Sequence, residues 1–178
     1  MDETTVALCI DLDQTLVRTD LLLESGLKAV KDRPVAAIAA MFGLVQGRAH
    51  LKQRLAELAE LAELRVDLLP YHLAVLALAQ TAKAAGRPVV LATASNRKYA
   101  EQIALHLGLF DAVHASDAAT NLSARQKAER LVGLHGEGRF DYVGDSRKDL
   151  AVWRHARRAI VVNPQPGVRS ELARNGVP

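Results

Sequence analysis

The sequence predicts an α/β protein, a parallel sheet flanked by helices and interrupted after its first strand by a helical insert. Three observations carry this expectation. Five short apolar runs rich in β-branched residues recur along the chain. The last four are separated by single helical stretches, a spacing that calls for right-handed crossovers and therefore parallel strands. Between the first run and the second, from Thr19 to Gly86, the sequence is helix-forming and contains no convincing strand.

The first strand is expected in Thr4-Thr-Val-Ala-Leu-Cys-Ile10, a run that stops at the acidic Asp11-Leu12-Asp13. The insert follows, its entry near Asp20 and its return near Asp67 to Pro70, with Leu51, Leu55, Leu58, Leu61 and Leu64 at three- and four-residue spacing. That run covers only about two heptads and has alanines beside it, which favours a packed helix pair over a coiled coil. Strands are next expected at Pro88 to Ala92, Ala112 to Ala115, Phe140 to Val143 and Ala159 to Val162. The helices between them are Asn96 to Leu107 closed by Gly108, Ser123 to Leu134 closed by Gly136, and Ser146 to Ala156. The tail after Asn163, with Pro164, Pro166 and Gly167, is expected to be loosely held. Residues 1–18 and 87–178 are thus assigned to the α/β core and 19–86 to the insert.

Composition narrows the function classes. The chain has 178 residues, 49% of them hydrophobic and 24% charged, as in an ordinary globular protein. Twenty-three Lys and Arg against 20 Asp and Glu leave a net charge of only +3, and aromatic residues are 4%. Such a mild bias with few stacking rings argues against nucleic acid as a partner. One cysteine, Cys9, excludes an internal disulfide framework and reads as a small core side chain in a reducing compartment. The acidic Met1-Asp2-Glu3 is unlike a secretory signal, and the uncharged stretches Pro34 to Gly47 and Leu68 to Ala82 fall short of the ~20 residues of a membrane span. A cytoplasmic location is the expectation.

The residues that carry chemistry lie where the strands end. Asp11 and Asp13 alternate at the end of the first strand, with Thr15 two residues on, so both carboxylates lie close to where the backbone leaves the sheet. One such carboxylate can act as nucleophile while its neighbour gives and takes a proton; the same residues also fill turns and cap helices. A second acidic group follows the fourth strand in Gly144-Asp145-Ser146-Arg147-Lys148-Asp149. Gly144 permits a tight turn, and Ser146 with Asp149 has the spacing of a capping box, which accounts for Asp149 but not for Asp145. A third carboxylate beside Asp11 and Asp13 is strongly self-repelling without a cation, and hard oxygen ligands suit Mg²⁺. Thr93 ends the second strand at the matching level, as a phosphoryl donor or a plain turn residue. Lys127 stands in the first turn of a helix whose Ser123 and Gln126 form another capping box, a placement that opposes the helix dipole.

In this order, Asp11 with Asp13, Thr93, Lys127, and Asp145 with Asp149 closely resemble the signature set of the haloacid dehalogenase-like superfamily, over Val6 to Asn163. The resemblance implies a Rossmann-like sheet, with the helical insert as a cap. It implies Asp11 as nucleophile and Asp13 as general acid/base, with Thr93, Ala94 and Lys127 holding the phosphoryl group. Mg²⁺ would be bound by Asp11, the Asp13 carbonyl and Asp145, supported by Thr15, Gly144 and Asp149. Gln14 stands where many members have glycine, which restricts the backbone there. Members that act on carbon–halogen bonds lack the second carboxylate, so Asp13 counts against a dehalogenase. More narrowly, the stretches Asp11 to Leu27, Asp67 to His72, Leu91 to Leu122 and Phe140 to Pro164 resemble a soluble domain joined to membrane polyprenyl prenyltransferases. That implies a functional link to such a transferase and a phosphorylated prenyl- or sugar-linked substrate.

The expected activity is therefore Mg²⁺-dependent hydrolysis of a small phosphomonoester through an aspartyl-phosphate. A phosphomutase would use the same residues, and a phosphoacceptor or partner-binding domain without turnover is the reading from another class; the insert and Asp11-x-Asp13 count against a phosphoacceptor. The six histidines lack zinc-ligand spacing, Gly133, Gly136 and Gly138 read as a loop, and Arg154, Arg157 and Arg158 read as a solvated helix face.

Overall fold

The computed structural model describes residues 3–19, 21, 65–117 and 120–176. The chain divides into two compact units, Met1–Arg18 with Pro70–Pro178, and Thr19–Leu69. Most of the expected helical insert, including its leucine run, lies outside the described residues. In the second unit the described part includes a turn of 3-10 helix, Val66–Leu68, in front of which Arg65 pairs with Asp67 at 2.8 Å.

In the first unit, a 3-10 turn at Glu3–Thr5 precedes β1 (Ala7–Ile10), so the strand begins later than Thr4. It is followed by α1 (Leu73–Ala84), β2 (Val89–Asn96), α2 (Arg97–Leu107), β3 (Ala112–Ser116), α3 (Ala124–His135) and β4 (Phe140–Gly144). A 3-10 turn at Arg147–Asp149 runs into the short α4 (Leu150–Trp153), and β5 (Arg158–Val161) and α5 (Val168–Arg174) complete the unit. Helix α1, expected within the insert, belongs to this unit: Val75, Ala79 and Ala82 form its buried face, and it leads directly into β2.

The five strands are all parallel, in the order β3-β2-β1-β4-β5. Every residue of β1 is buried, as a central strand covered on both faces requires. The chain builds outward from β1 through β2 and β3, then returns to build β4 and β5 on the other side. The carboxyl ends beside β1 thus form the switch point at which such sheets hold their ligands. Asp11 extends the β1–β4 ladder by one bond, its N–H donating to the Val143 carbonyl at 3.0 Å, and so stands at that end.

After β1 the backbone makes a helical turn, with Leu16 and Val17 N–H groups donating to the Leu12 carbonyl at 3.0 Å. Gln14 takes φ 58°, the left-handed conformation that glycine adopts without steric cost, so the departure from glycine leaves the turn in place. The outgoing and returning chains are then stitched antiparallel: Arg18 N–H donates to the Pro70 carbonyl and His72 N–H to the Leu16 carbonyl, both at 2.9 Å, on either side of the Val17–Tyr71 bridge.

Four local expectations are corrected. The tail is anchored: Val168 and Leu172, one turn apart on α5, are buried in the cluster that contains Leu150, Val152 and Trp153. The two prolines precede the helix instead of interrupting it. Arg157 is held at the sheet, its guanidinium donating to both oxygens of the fully buried Asp141 at 2.8 Å, opposite Arg87 at 2.6 Å. Burial pulls Asp141 up, but the two guanidinium groups outweigh it and hold the carboxyl below its usual range. Ser123 does not close a capping box, because its hydroxyl bonds the Gln126 side chain and no helix N–H. Gly133 lies within α3, and only Gly136 and Gly138 form the turn after it. Cys9 is fully buried, its thiol pushed up by burial.

Candidate active site

Every sequence-expected site residue lies at the carboxyl end of the sheet or on the helices that follow it. The end of β1 places Asp11, and α3 places Lys127 opposite, its Nζ donating to Asp11 Oδ1 at 2.6 Å and to the Tyr142 hydroxyl at 2.8 Å. Lys127 is 4% exposed although its residue type is almost always solvated, so its ammonium is committed to this pocket. Tyr142, fully buried on β4, passes the contact on by donating to Asp149 Oδ1 at 2.9 Å. The Trp153 ring packs edge-on against that of Tyr142 and donates Nε1–H to its carbonyl at 3.0 Å, which fixes the tyrosine.

The loop after β4 holds the second acidic group. Asp149 Oδ2 accepts from Ser146 N–H at 3.0 Å, Ser146 Oγ at 2.9 Å and Asp145 N–H at 3.2 Å. The Ser146–Asp149 capping box is present, and the same carboxylate is also joined to Lys127 through the Tyr142 hydroxyl. Gly144 is required by this packing, because a Cβ there would lie 2.7 Å from Asp149 Cγ. Thr15 donates to Asp145 Oδ1 at 3.4 Å, tying the β1 loop to the β4 loop.

Carboxylate oxygens of Asp11, Asp145 and Asp149 lie within 4.8 Å of one another. Burial, with Asp149 and Asp13 adding to it against the Lys127 charge, raises Asp11 to about 7. Burial and Asp149 raise Asp145 to about 6. One ammonium does not balance this much converging negative charge. A hard divalent cation would, and the all-oxygen donor set fits Mg²⁺. Asp13 is not among these three carboxylates.

Thr93 is fully buried within β2 and Ala94 is exposed beside it. Past Thr93, β2 continues to Asn96 with a register shift against β3 between Ala92 and Asn96. That irregularity turns Ser95 back: its N–H donates to Thr93 Oγ1 at 3.0 Å and its hydroxyl to Asp13 Oδ2. Ser95 and Tyr142 are the two site residues that the sequence reading missed. A hydroxyl two residues past Thr93, and a phenol alternating with Phe140 and Gly144 along β4, were the available signals.

Comparison with known proteins agrees with this geometry. A family model described as haloacid dehalogenase-like hydrolase matches residues 8–154. A Sinorhizobium fredii protein, the uncharacterized y4nM, is 35% identical over 170 residues, 96% of this chain. The chain spans about a third of that relative's length, 32%. Among solved structures, a Bordetella pertussis protein of unknown function superposes with a TM-score of 0.72 at 21% identity, covering 96% of each chain. A substrate-bound phosphoserine phosphatase superposes with a TM-score of 0.64 at 16% identity, over 93% of this chain and 90% of the other. These structural likenesses show a common fold. The family model, matching most of the chain, establishes that it belongs to the haloacid dehalogenase-like hydrolase family.

Proposed function

We propose that this chain is a Mg²⁺-dependent phosphatase that hydrolyses a small phosphomonoester through an aspartyl-phosphate on Asp11. The observation that carries the reading is the buried Lys127 ammonium 2.6 Å from Asp11, beside the Asp145 and Asp149 carboxylates at the switch point of the sheet. A lysine and a cation site around one strand-end carboxylate are what transfer of a phosphoryl group to that carboxylate needs.

Asp11 attacks phosphorus while the bond to the leaving oxygen breaks, and Asp13 gives that oxygen its proton. Asp13, now ionised, takes a proton from the water that attacks the phosphorus of the aspartyl-phosphate; phosphate leaves and Asp11 is restored. Lys127 offsets charge on the phosphoryl oxygens, and Thr93, whose Oγ1 accepts from Ser95 N–H, has its own O–H to donate to them. Mg²⁺ held by Asp11, Asp145 and the Asp13 carbonyl, with Asp149 behind them, would supply the positive charge that keeps Asp11 ionised. Thr15 and Gly144 hold the two loops in register.

The segment 19–69, shorter than the insert expected from the sequence, is read as the cap that selects the leaving group, since the chain departs for it directly after the Asp13 loop. Among the described residues no helix is long and apolar enough to cross a membrane. A cytoplasmic enzyme acting on a phosphorylated prenyl- or sugar-linked alcohol, functionally linked to a membrane prenyltransferase, is the narrower form of this reading. The test is a phosphate-ester panel with and without Mg²⁺, with Asp11→Asn as the blank. Turnover is expected only with the metal and only for the wild type; full turnover by Asp11→Asn would refute the mechanism.

A further inference from the structure

Asp13 and Ser95 lie 82 positions apart and meet because β2 continues past Thr93. The register shift after Ala92 lets the Ser95 N–H bond back to Thr93 Oγ1 at 3.0 Å, a local side-chain turn, while Ala94 between them faces outward. The Ser95 hydroxyl is thereby aimed across the loop after β1, where it donates to Asp13 Oδ2. The backbone of Ser95 occupies an acceptor position on the Thr93 hydroxyl, and its side chain occupies one oxygen of Asp13. Ser95 is half-buried.

Resting on the phosphatase reading, we propose that Ser95 is a positioning residue for proton transfer, its hydroxyl fixing the Asp13 carboxyl so that Oδ1 carries the proton to the leaving group. A hydroxyl that donates to Oδ2 favours that oxygen as the unprotonated one, because a proton there would face the serine hydrogen and break the bond. As the phosphorus–oxygen bond to the leaving group breaks, the proton on Oδ1 passes to the leaving oxygen. In the second step the same oxygen takes a proton from the attacking water, while Ser95 keeps its bond to Oδ2 throughout. Without the hydroxyl Oδ2 loses this donor, and acid catalysis weakens while binding of the phosphoryl group, the task of Lys127 and Thr93, does not.

This separates Ser95 from a merely structural tie, which would depress all substrates alike. The experiment measures kcat/KM for wild type, Ser95→Ala and Ser95→Thr on p-nitrophenyl phosphate, phenyl phosphate and an alkyl phosphate. The nitrophenolate leaves without help, whereas an alkoxide needs its proton. Ser95→Ala is expected to lose roughly tenfold or more on the alkyl ester, within the ~10²–10⁴ that a general acid contributes, and little on p-nitrophenyl phosphate. Ser95→Thr, which keeps the hydroxyl, should return the alkyl ester toward the wild-type rate. Equal losses on all three esters, no loss on the alkyl ester, or a threonine variant as impaired as the alanine one would overturn the proposal. If Ser95→Ala does not fold, Ser95→Cys, a near-isostere with a weak donor, carries the same comparison. A wild type inert toward every ester refutes the phosphatase reading and this proposal with it; an active wild type whose alanine variant loses all esters alike refutes this proposal alone.

Discussion

Replacing Asp11 by asparagine should abolish turnover and, in the absence of metal, make the protein more stable. The ionised Asp11 is costly to the folded state because it is only 13% exposed and lies beside Asp145 and Asp149, with a single lysine in compensation. Its displacement from 3.8 to about 7, at about 1.4 kcal/mol per pH unit, corresponds to about 4 kcal/mol once it is fully ionised. Partial hydration of the exposed edge brings the expectation to about 2–4 kcal/mol, or on the order of 5–10 °C in Tm for a chain of this size. The sign follows from proton counts. Between the ordinary value of 3.8 and about 7 the folded state binds the Asp11 proton more tightly than the unfolded state, so wild-type stability falls as pH rises through that window. Above it both states are ionised and the loss is complete. Urea unfolding in EDTA should therefore show an advantage for Asp11→Asn that is near zero at pH 4, grows to pH 7 and then levels off. Added Mg²⁺ should stabilise the wild type and shrink the gap. A variant no more stable than wild type at pH 8 in EDTA would refute the electrostatic reasoning.

Other consequences are open to measurement. Tyr142→Phe removes the hydroxyl between Lys127 and Asp149, leaving each buried charge one partner short; a loss of about 1–3 kcal/mol by denaturant unfolding is expected, with turnover reduced. Gly144→Ala drives a Cβ to 2.7 Å from Asp149 Cγ, so the carboxylate must move, and a Mg²⁺ titration should show affinity weakened by about 10–100-fold. Leu172→Ala should cost about 2 kcal/mol while leaving kcat near wild type, because the Leu172 side chain lies in the apolar cluster with Val168 and Trp153 and not among the carboxylates; an unchanged unfolding midpoint would return the tail to the loosely held state that its prolines and glycine led us to expect.

The order of strands and helices was legible because parallel crossovers impose it: apolar runs and their separations follow from burying a sheet on both faces. The acidic residues at strand ends were legible because nothing in strand or helix chemistry requires Asp11 and Asp145 together. What escaped depends on contacts between distant positions. Arg157 looks like any solvated cation until Asp141 is seen opposite it. Ser95 is an ordinary turn residue in sequence, and its bond to Asp13 arises from a register shift that no periodicity reveals. The insert, expected to run to residue 86, gives way to the α/β unit at Pro70 for a related reason: helical pattern alone does not say whether a helix belongs to an insert or to the crossover that follows it.

The stitch at Val17 and Tyr71 has a consequence for how such proteins can change. Two backbone hydrogen bonds clamp the outgoing and incoming chains side by side, and neither uses a side chain. The span between Arg18 and Pro70 is therefore exchangeable in length and sequence without altering the spacing of the sheet's carboxyl end. With this span as the cap proposed above, the pocket and the cap can diverge at different rates, and a chimera joined at these two residues should keep the chemistry of one parent while taking the substrate of the other.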